Sequence, residues 1–532
     1  MSPAPAQAHI SGEERSAGLW VWALPALAVC FVAVSSQSLW IDEAFMARKA
    51  SQPTLADWWR MMPEGSGSDL QMPLYMIYMW GFAKIFGLGE WTLRAANIPW
   101  FVIGFAIFIS ALPKPQRSAA AIVTLLSPFV WFYLNEARPY AMQIGCSLAI
   151  LAALYRLSVD AMMPPGWERN WMIVFCTGIV VLCGSSLLGV IWAGAAFLSL
   201  PFLFSRQRLK QLSRVHWLTC FVAAIFLAAL ASYYVWTIKF GTHALKAGGQ
   251  ADGGALTAVQ SAAHFRQGFA GGTEIQNLAF VGYELLGFSG LGPSRLEIRT
   301  EKLRAFHHFA PQLGLYTLAI GAVLFLGMRR IFRSPRPARG MVLSIVALLP
   351  LLMLAIAGYF LGFLMLGRHC APLLAALSFV LSLGIAAAFS ARNCILKACA
   401  CAWLILSVIS CLSLRFANRH EKDDYRDAAK IAIAALHLGQ KVWWSAGEDG
   451  ALYYHLPLAV APGQAGSALS VLNPTPESLS ALSPPDLIVI TTKPDLYDNQ
   501  GALAKYVRNN PYAQTAACPA FVVWQRKNDQ NH

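Results

Sequence analysis

The chain has 532 residues, of which 57% are hydrophobic and 13% charged, and its mean hydropathy is +0.49. Soluble domains carry about 25% charged residues, so this composition excludes a soluble globular protein and indicates an integral membrane protein. The formal net charge of +14 does not indicate nucleic acid binding, because the segment from Leu414 to His532 has 11 basic and 11 acidic residues and is neutral. The excess of positive charge therefore lies in the membrane part.

The chain begins with a polar segment, residues 1–16, that we predict to be a cytoplasmic tail. The apolar run that follows, Ala17 to Ser38, lacks a small-residue cleavage site, so it is interpreted as a retained first span. The 11 cysteines are scattered and lie mostly inside apolar runs. They do not form a disulfide framework of the kind found in small secreted domains.

Eleven apolar runs are candidate membrane spans, since a helix of about 20 apolar residues crosses about 30 Å of hydrocarbon. Two loops, Ser205 to Arg214 and Met328 to Arg339, carry four and five basic residues and no acidic ones, which is typical of cytoplasmic loops. The sequence thus predicts an all-α polytopic membrane protein of about 11 to 13 spans, with this module covering residues 17–414. The runs are Ala17–Ser38, Trp91–Leu112, Ala119–Leu134, Tyr140–Leu157, Trp171–Cys183, Leu187–Phe204, Trp217–Thr237, Leu313–Met328, Met341–Gly358, Pro372–Phe389 and Ile395–Leu414.

One further apolar run, Pro73 to Gly87, is short and interrupted by Lys84. If this run crossed the membrane, every later loop would lie on the opposite side, and the Met328–Arg339 loop with its five arginines would be outside. We therefore predict an interfacial or re-entrant helix. A twelfth crossing remains the alternative.

Three segments are predicted to lie on the non-cytoplasmic side: a first outer loop (37–90), the turn Leu134–Gln143, and a large outer loop (239–311). Residues 415–532 follow outside the membrane. There, a helical pattern after Asp423 and Asp424 precedes strand-like runs such as DLIVIT and AFVVWQR. The sequence predicts a small α/β domain for this last segment.

Ionisable residues near membrane depth are costly and are functional candidates by default. A carboxylate can take the proton of a hydroxyl acceptor, while arginines neutralise a departing phosphate. The outer side offers both kinds of group, namely the carboxylates Asp42, Glu43 and Glu136 and the cations Arg94, Arg138, Arg368 and His369.

Structural alternatives remain for each of these residues. Asp42 and Glu43 would also serve as the cap of a helix that continues AFMARKA. Arg94 and Arg138 would also serve as interfacial anchors, and a histidine at a helix start is more often a satisfied polar residue than a ligand. The sequence has no cluster with convincing metal-ligand spacing.

Five motifs, taken in order, resemble the bacterial membrane glycosyltransferases of family 39, the GT-C group that includes protein O-mannosyltransferases and the aminoarabinose lipid A transferase. The resemblance implies an inverting enzyme of the bacterial inner membrane that moves a hexosyl or pentosyl group from a polyprenyl-phosphate donor. The acceptor would be a hydroxyl of a lipid, glycan or protein on the periplasmic face. The motifs are LWIDEAF, QMPLYMIYMWGFAKIFGLGEWTLRAANIP, LSPFVWFYLNEARPYAMQ, GRHCAPLLAALSFVL and DYRDAAKIAI.

The resemblance also implies a role for particular residues. Asp42 would be the general base, with Glu43 beside it. Arg94, in a W-x-x-R context, would contact the lipid phosphate. Glu136 would lie near the acceptor.

Further substrate contacts are implied for Arg138 and Tyr140 in the EARxY-like turn, and for Arg368 in the late motif. That motif reads GRH here, so His369 stands where the family has tyrosine. Tyr75 belongs to QMPLY, where the family often has His-Pro-Pro-Leu-Tyr. The missing histidine weakens the divalent metal that the family analogy would suggest, and no other cofactor is expected.

Two rival functions are compatible with charges in a membrane cavity. A transporter or flippase of lipid-linked sugars usually has internal repeats and broken helices, and no such repeat is evident in this sequence. A surface-polysaccharide ligase or polymerase would be expected to hold its key residues in a large late loop instead of directly after the first span.

Overall fold

The computed structural model describes residues 17–63, 68–159, 165–203, 214–247, 274–333, 337–361, 364–459 and 464–527. Three predicted features lie wholly or partly outside these ranges: the amino-terminal tail, the basic loop Ser205–Arg214, and residues 248–273 of the large outer loop.

The part of the chain before residue 417 is helical and is built from helices α1 to α18. In chain order these are Ala17–Ala33, Ile41–Ala50, Leu55–Met61, Pro73–Phe86, Glu90–Ala95, Ile98–Ala111, Lys114–Leu125, Pro128–Leu134, Tyr140–Val159, Pro165–Ser185, Gly189–Ser199, Arg214–Ala247, Ile275–Leu285, Arg295–Glu301, Ala310–Phe332, Pro337–Leu361, Leu373–Ser390 and Cys394–Phe416.

Every predicted span coincides with helical structure, and the prediction of a multi-pass membrane protein is confirmed. In the described residues, seven helices are long and apolar enough to cross a membrane, and the bent pair α7 and α8 makes an eighth candidate. Three shorter apolar helices account for the other predicted spans. The run that begins at Pro73 is helix α4, whose relation to the membrane stays a prediction.

Helices α7 and α8 differ in direction by 55°, although the sequence prediction treated them as one span. The break falls at Ser127 and Pro128, and a residue before proline is disfavoured in the helical region. Ser127 accordingly has ψ of 116°, and Pro128 starts the new helix. The bend leads α8 into the turn that carries Glu136 and Arg138.

Helices α6 and α9 approach each other at the level of their backbones. A Cβ atom on Gly104 would overlap the carbonyl group of Gly145, and one on Gly145 would overlap the carbonyl oxygen of Trp100. Small residues allow such close helix packing in membranes. This contact holds the start of α9 beside the turn that follows α8.

Residues after 417 form the predicted α/β domain, whose described strands make one six-stranded sheet in the order β2-β3-β1-β4-β6-β5. The strands are Val442–Ser445, Leu458–Ala459, Ala468–Ser470, Leu487–Thr491, Tyr512–Cys518 and Phe521–Arg526. Strand β1 pairs in parallel with β3 and β4, while β6 is antiparallel to β4 and β5. The remaining helices, α19 to α23, are Tyr425–His437, Glu448–Tyr453, Pro476–Ser480, Pro494–Tyr497 and Ala502–Asn509.

Helix α19 begins at Tyr425 because Asp424 caps it, accepting a hydrogen bond from the Asp427 amide at 3.1 Å. The ring of Tyr425 packs against Trp444 and Phe521 of the sheet. The preceding residue, Asp423, forms an ion pair with Lys493 instead.

The carboxy-terminal domain rests on helix α2 and on the segment before it. Arg48 forms an ion pair with Asp449 at 2.6 Å. The Leu39 amide donates a hydrogen bond to the Tyr454 hydroxyl at 2.8 Å, and the Arg426 amide donates to the Ser38 hydroxyl at 3.1 Å. The last part of the chain thereby fixes the position of the LWIDEAF motif.

Candidate active site

Arg94 organises the segment that precedes helix α2. Its side chain is fully buried, and its hydrogen bonds use all five N–H donors. Two of them reach the carboxylate of Glu43, and three reach backbone carbonyl oxygens. These bonds are Nε to Glu43 Oε1 at 2.9 Å, Nη2 to Glu43 Oε2 at 2.7 Å and to Ser38 O at 2.9 Å, and Nη1 to Ser35 O at 3.0 Å and to Gln37 O at 2.6 Å.

Arg94 was predicted to contact a lipid phosphate, but its partners in this structure are internal. A phosphate would have to replace one of these buried bonds. The geometry therefore favours a role for Arg94 in holding the Ser35–Glu43 segment in place. The interfacial-anchor alternative does not fit either, because the guanidinium is not near solvent.

Glu43 is the meeting point of three chain segments. In addition to its bonds with Arg94, Glu43 accepts a hydrogen bond from the Ala137 amide at 2.8 Å. It also forms an ion pair with Lys422 at 3.0 Å. Burial alone would raise the pKa of this carboxyl group, but Arg94 and Lys422 outweigh burial and lower the pKa to about 2. Glu43 is thus a permanently ionised group that is surrounded by its own partners.

Asp42 differs from its neighbour in both exposure and partners. Its side chain is 24% exposed, and one oxygen lies 3.2 Å from Arg368, which is 26% exposed. The interaction is a single charge-assisted hydrogen bond, since only Nη1 of Arg368 takes part. The sequence-predicted base and the second predicted phosphate contact are therefore brought together, and both are accessible from solvent.

Glu136 lies in the turn between α8 and α9, and its side chain is buried. Burial raises the pKa of its carboxyl group, although the nearby positive charges of Lys422 and Arg295 act in the opposite direction. The Arg295 guanidinium is 3.9 Å from the carboxylate, which is the outer limit for an ion pair.

Arg138 points to the other side of the same turn. It forms an ion pair with Asp69 at 2.9 Å, and Lys49 binds the second oxygen of Asp69 at 2.8 Å. It also donates to the carbonyl oxygen of Asp42 at 3.3 Å. All three ionised side chains of this cluster are nearly inaccessible, so Arg138 supports the backbone at Asp42 from behind.

The three remaining predicted site residues line the same region. The Tyr140 ring packs edge-on against Tyr133 with centroids 4.9 Å apart. His369 accepts a hydrogen bond from the Leu366 amide at Nδ1, and burial together with Arg368 lowers its pKa to about 3, so that it is neutral. The Tyr75 hydroxyl is buried and has no hydrogen-bond partner among the described residues.

Four residues around the candidate site were not predicted from the sequence. One carboxylate oxygen of Glu284 accepts hydrogen bonds from Nε and Nη2 of Arg295, and the other accepts one at 3.1 Å from the amide of Gly367, directly before Arg368. Arg295 lies over the Phe132 ring at 4.2 Å. The other two are Asp69 and Lys422. The only local signal for Lys422 was its position beside the DYRDAAKI motif.

A cavity of about 450 Å³ lies beside Glu136, between the large outer loop and the carboxy-terminal domain. Its wall combines aromatic surfaces with charges of both signs. The residues that line it include Trp40, Phe132, Glu136, Tyr283, Arg295, Arg299, Arg419, Lys422 and Lys493. A cavity of this size and polarity can hold a sugar-sized polar group.

The residues near Asp42 do not fit a divalent metal ion. In the described ranges, no three His, Cys, Asp or Glu side chains come together as a metal site. Glu43, which is adjacent to Asp42, already binds two cations. The chemistry proposed below is therefore assigned to side chains alone.

No protein-family model matches the chain, and no curated protein matches it. Solved structures with similar folds include ArnT from Cupriavidus metallidurans bound to undecaprenyl phosphate, with 13% identity, coverage of 96% of this chain and 98% of that one, and a TM-score of 0.47. Another is archaeal oligosaccharyltransferase AglB from Archaeoglobus fulgidus in complex with an inhibitory peptide and a dolichol-phosphate. It has 12% identity, the match covers 96% of this chain and 74% of that one, and the TM-score is 0.48. A third is arabinofuranosyltransferase AftD from Mycobacteria. It has 15% identity, the match covers 96% of this chain and 40% of that one, and the TM-score is 0.46. At these values the function has to be argued from the site itself.

Proposed function

We propose that this protein is an inverting glycosyltransferase that moves a sugar from a polyprenyl-phosphate donor to a hydroxyl acceptor. The observation that carries the proposal is the pairing of Asp42 with Arg368 at 3.2 Å, with both side chains partly accessible. A base and a phosphate-binding cation are thereby adjacent, while the neighbouring charges of Glu43 and Arg94 are already satisfied by each other.

In the proposed reaction, the Asp42 carboxylate accepts the proton of the acceptor hydroxyl as its oxygen attacks the anomeric carbon. The bond between that carbon and the phosphate oxygen breaks on the opposite face, and its electron pair leaves with the phosphate. Arg368 stabilises the negative charge that develops on the departing phosphate. Attack and departure on opposite faces invert the configuration at the anomeric carbon.

The other site residues receive supporting roles in this proposal. Arg94 and Glu43 are positioning residues that hold the chain at Asp42, and Arg138 does so from the opposite side. Glu136 contacts the acceptor in the adjacent cavity. Tyr140 and His369 complete the wall on which the sugar rests, and Tyr75, whose side chain is fully buried, supports that wall from behind.

We also propose that the site faces the periplasm from a bacterial inner membrane. The strongly basic loops then lie in the cytoplasm, and the acceptor is a lipid, a glycan or a protein of the cell envelope. The polyprenyl chain of the donor lies in the bilayer while its phosphate reaches Arg368. Such an arrangement requires a membrane-spanning protein, as this chain is.

The test is a transfer assay with purified protein, a synthetic polyprenyl-phosphate sugar and envelope fractions as acceptor. We expect Asp42→Asn to abolish transfer and to keep the wild-type melting temperature. The matched control is Asp57→Asn, which alters an aspartate of the same loop that pairs with Arg60 at 3.4 Å and should transfer at the wild-type rate. Wild-type transfer by the Asp42 variant would contradict the base assignment. Movement of the labelled donor across proteoliposomes without transfer would favour the flippase instead.

A further inference from the structure

A second cavity, of about 590 Å³, lies away from the candidate active site at the opposite end of helices α15 and α17. Helix α17 starts five residues after Arg368 and has 18 residues, which corresponds to about 27 Å at 1.5 Å per residue. The cavity is lined by Ala387 and Ala391 at its far end. It is therefore separated from Asp42 by roughly the thickness of the bilayer core.

Three arginines at the end of α15 contribute to the wall of this cavity: Arg329, Arg330 and Arg333. Among the residues that the structure describes, no carboxylate lines the cavity and no acidic residue forms an ion pair with these arginines. The rest of the wall is largely apolar and includes Leu343, Phe379 and Leu383. The cavity thus combines an unneutralised cluster of cations with an apolar floor.

The surroundings of the cavity face lipid. Phe332 and Ile395, which flank it in the chain, are 71% and 66% exposed, as expected of side chains that contact acyl chains. The three arginines lie in the Met328–Arg339 loop, which the distribution of positive charge assigns to the cytoplasmic side. Basic pockets between transmembrane helices on that side are suited to anionic lipid headgroups.

We propose that this cavity is a binding site for an anionic phospholipid of the cytoplasmic leaflet, whose phosphate pairs with the arginines and whose acyl chain lies against Leu343 and Leu383. The side-chain oxygen of Gln116 also lines the cavity, is buried, and lacks a hydrogen-bond donor among the described residues. A headgroup that carries hydroxyl donors satisfies this oxygen, which selects phosphatidylglycerol as the probe. The proposal is independent of the glycosyltransferase assignment.

The test is native mass spectrometry of the full-length protein after delipidation and titration with phosphatidylglycerol or phosphatidylcholine. We expect the wild-type protein to retain phosphatidylglycerol in preference to phosphatidylcholine. Arg329→Gln combined with Arg333→Gln should lower retention of phosphatidylglycerol about tenfold, since each basic residue contributes to attraction of an anionic headgroup.

The matched control is Arg392→Gln with Lys397→Gln. It removes two positive charges from exposed residues of the same predicted side that do not line the cavity. Retention in this variant should equal that of the wild type. Equal retention of the two lipids by the wild-type protein would overturn the proposal, as would an equal loss in both variants. Displacement of the lipid by millimolar inorganic phosphate would also overturn it, because the site would then bind free phosphate.

Discussion

The guanidinium of Arg94 and the carboxylate of Glu43 form a two-point ion pair, at 2.9 and 2.7 Å, in which both side chains are completely buried. The pair joins helix α5 to helix α2, and Asp42, the residue before Glu43 in α2, lies at the accessible surface. Of the two adjacent carboxylates, Glu43 is thereby buried in an ion pair, while Asp42 stays partly exposed.

Loss of the Arg94 side chain should destabilise the protein. Breaking a buried ion pair leaves an uncompensated charge, which costs about 3–5 kcal/mol, so Arg94→Ala should lower the free energy of unfolding in a detergent titration by that amount. Arg60→Ala is the control, because Arg60 is 79% exposed in its ion pair with Asp57 and should change stability by less than about 1 kcal/mol. Equal losses in the two variants would argue against a structural role for Arg94.

Arg368 should control transfer more than folding. Removing one donor that stabilises transition-state charge typically lowers turnover about 100-fold or more, so Arg368→Gln should lower kcat/KM by that factor while Arg368→Lys keeps part of the activity. Arg508→Gln, at an exposed residue of the carboxy-terminal domain, serves as the control. A kcat/KM for Arg368→Gln within twofold of wild type would exclude a role in phosphate departure.

Because of Lys422, the free energy of unfolding should depend on pH in the alkaline range. Burial, with a contribution from Arg94, lowers its pKa from 10.5 to about 8, so the folded protein releases this proton before the unfolded chain does. Between pH 8 and pH 10.5 the unfolded state binds more protons, and stability therefore rises with pH. In this pH window, the free energy of unfolding of the wild type should rise, relative to that of Lys422→Met, by up to about 1.4 kcal/mol per pH unit.

The comparison with Lys422→Met cancels the titration of other groups. Lys505→Met, at an exposed lysine, provides the control and should run parallel to the wild type. Parallel curves for Lys422→Met and the wild type would show that Lys422 is not desolvated.

Glu136 should have an effect of the opposite sign in the acidic range. Burial raises its pKa above 4.5, so the unfolded chain ionises first as pH rises, and the folded wild type loses stability above pH 4.5. Glu136→Gln removes this loss and should become more stable, relative to wild type, at pH 7 than at pH 4. The melting temperature measured across this range, with the exposed Glu301→Gln as reference, provides the check. A constant difference between Glu136→Gln and the wild type would contradict the raised pKa.

Tyr75→Phe should leave stability unchanged or raise it. The hydroxyl is buried and unpartnered, and removing an unsatisfied polar group relieves a desolvation cost of about 1–3 kcal/mol. Tyr234→Phe is the contrasting variant, because the Tyr234 hydroxyl donates to the Cys183 carbonyl at 2.6 Å, and its loss should destabilise. Similar destabilisation of both variants would show that the Tyr75 hydroxyl is bonded in the folded protein. A stable Tyr75→Phe variant with reduced transfer would support a role of the Tyr75 hydroxyl in the site.

The membrane helices were predictable because a long apolar run can adopt few structures other than a membrane-spanning helix. The run from Tyr140 to Leu157, for example, is observed as a helix from Tyr140 to Val159. The break at Pro128 was not predicted, although proline marks it in the sequence. The continuation of α12 to Ala247, beyond the predicted start of the large loop at Lys239, has no comparable signal, since a helix can extend beyond the bilayer without apolar residues.

The site was predictable only where its residues belong to local motifs. Asp42 and Glu43 are neighbours in sequence but point about 100° apart on a helix, and nothing local decides which of them Arg94 binds. Glu284, Arg295 and Lys422 reach the site from distant segments, so their contacts depend on tertiary packing. The sequence therefore identified the carboxylates as candidates, but their partners could be identified only from the structure.

The contact between the LWIDEAF segment and the carboxy-terminal domain also bears on synthesis. Ser38 and Tyr454, which share a hydrogen bond, are separated by 416 residues. At a rate of about 5–20 residues per second, roughly 20 to 80 seconds pass between translation of the first and of the second. For most of this interval Glu43 has been synthesised but Lys422, its partner in an ion pair, has not. The LWIDEAF segment can therefore reach its final arrangement only near the end of translation, after its partners in the carboxy-terminal domain have been made.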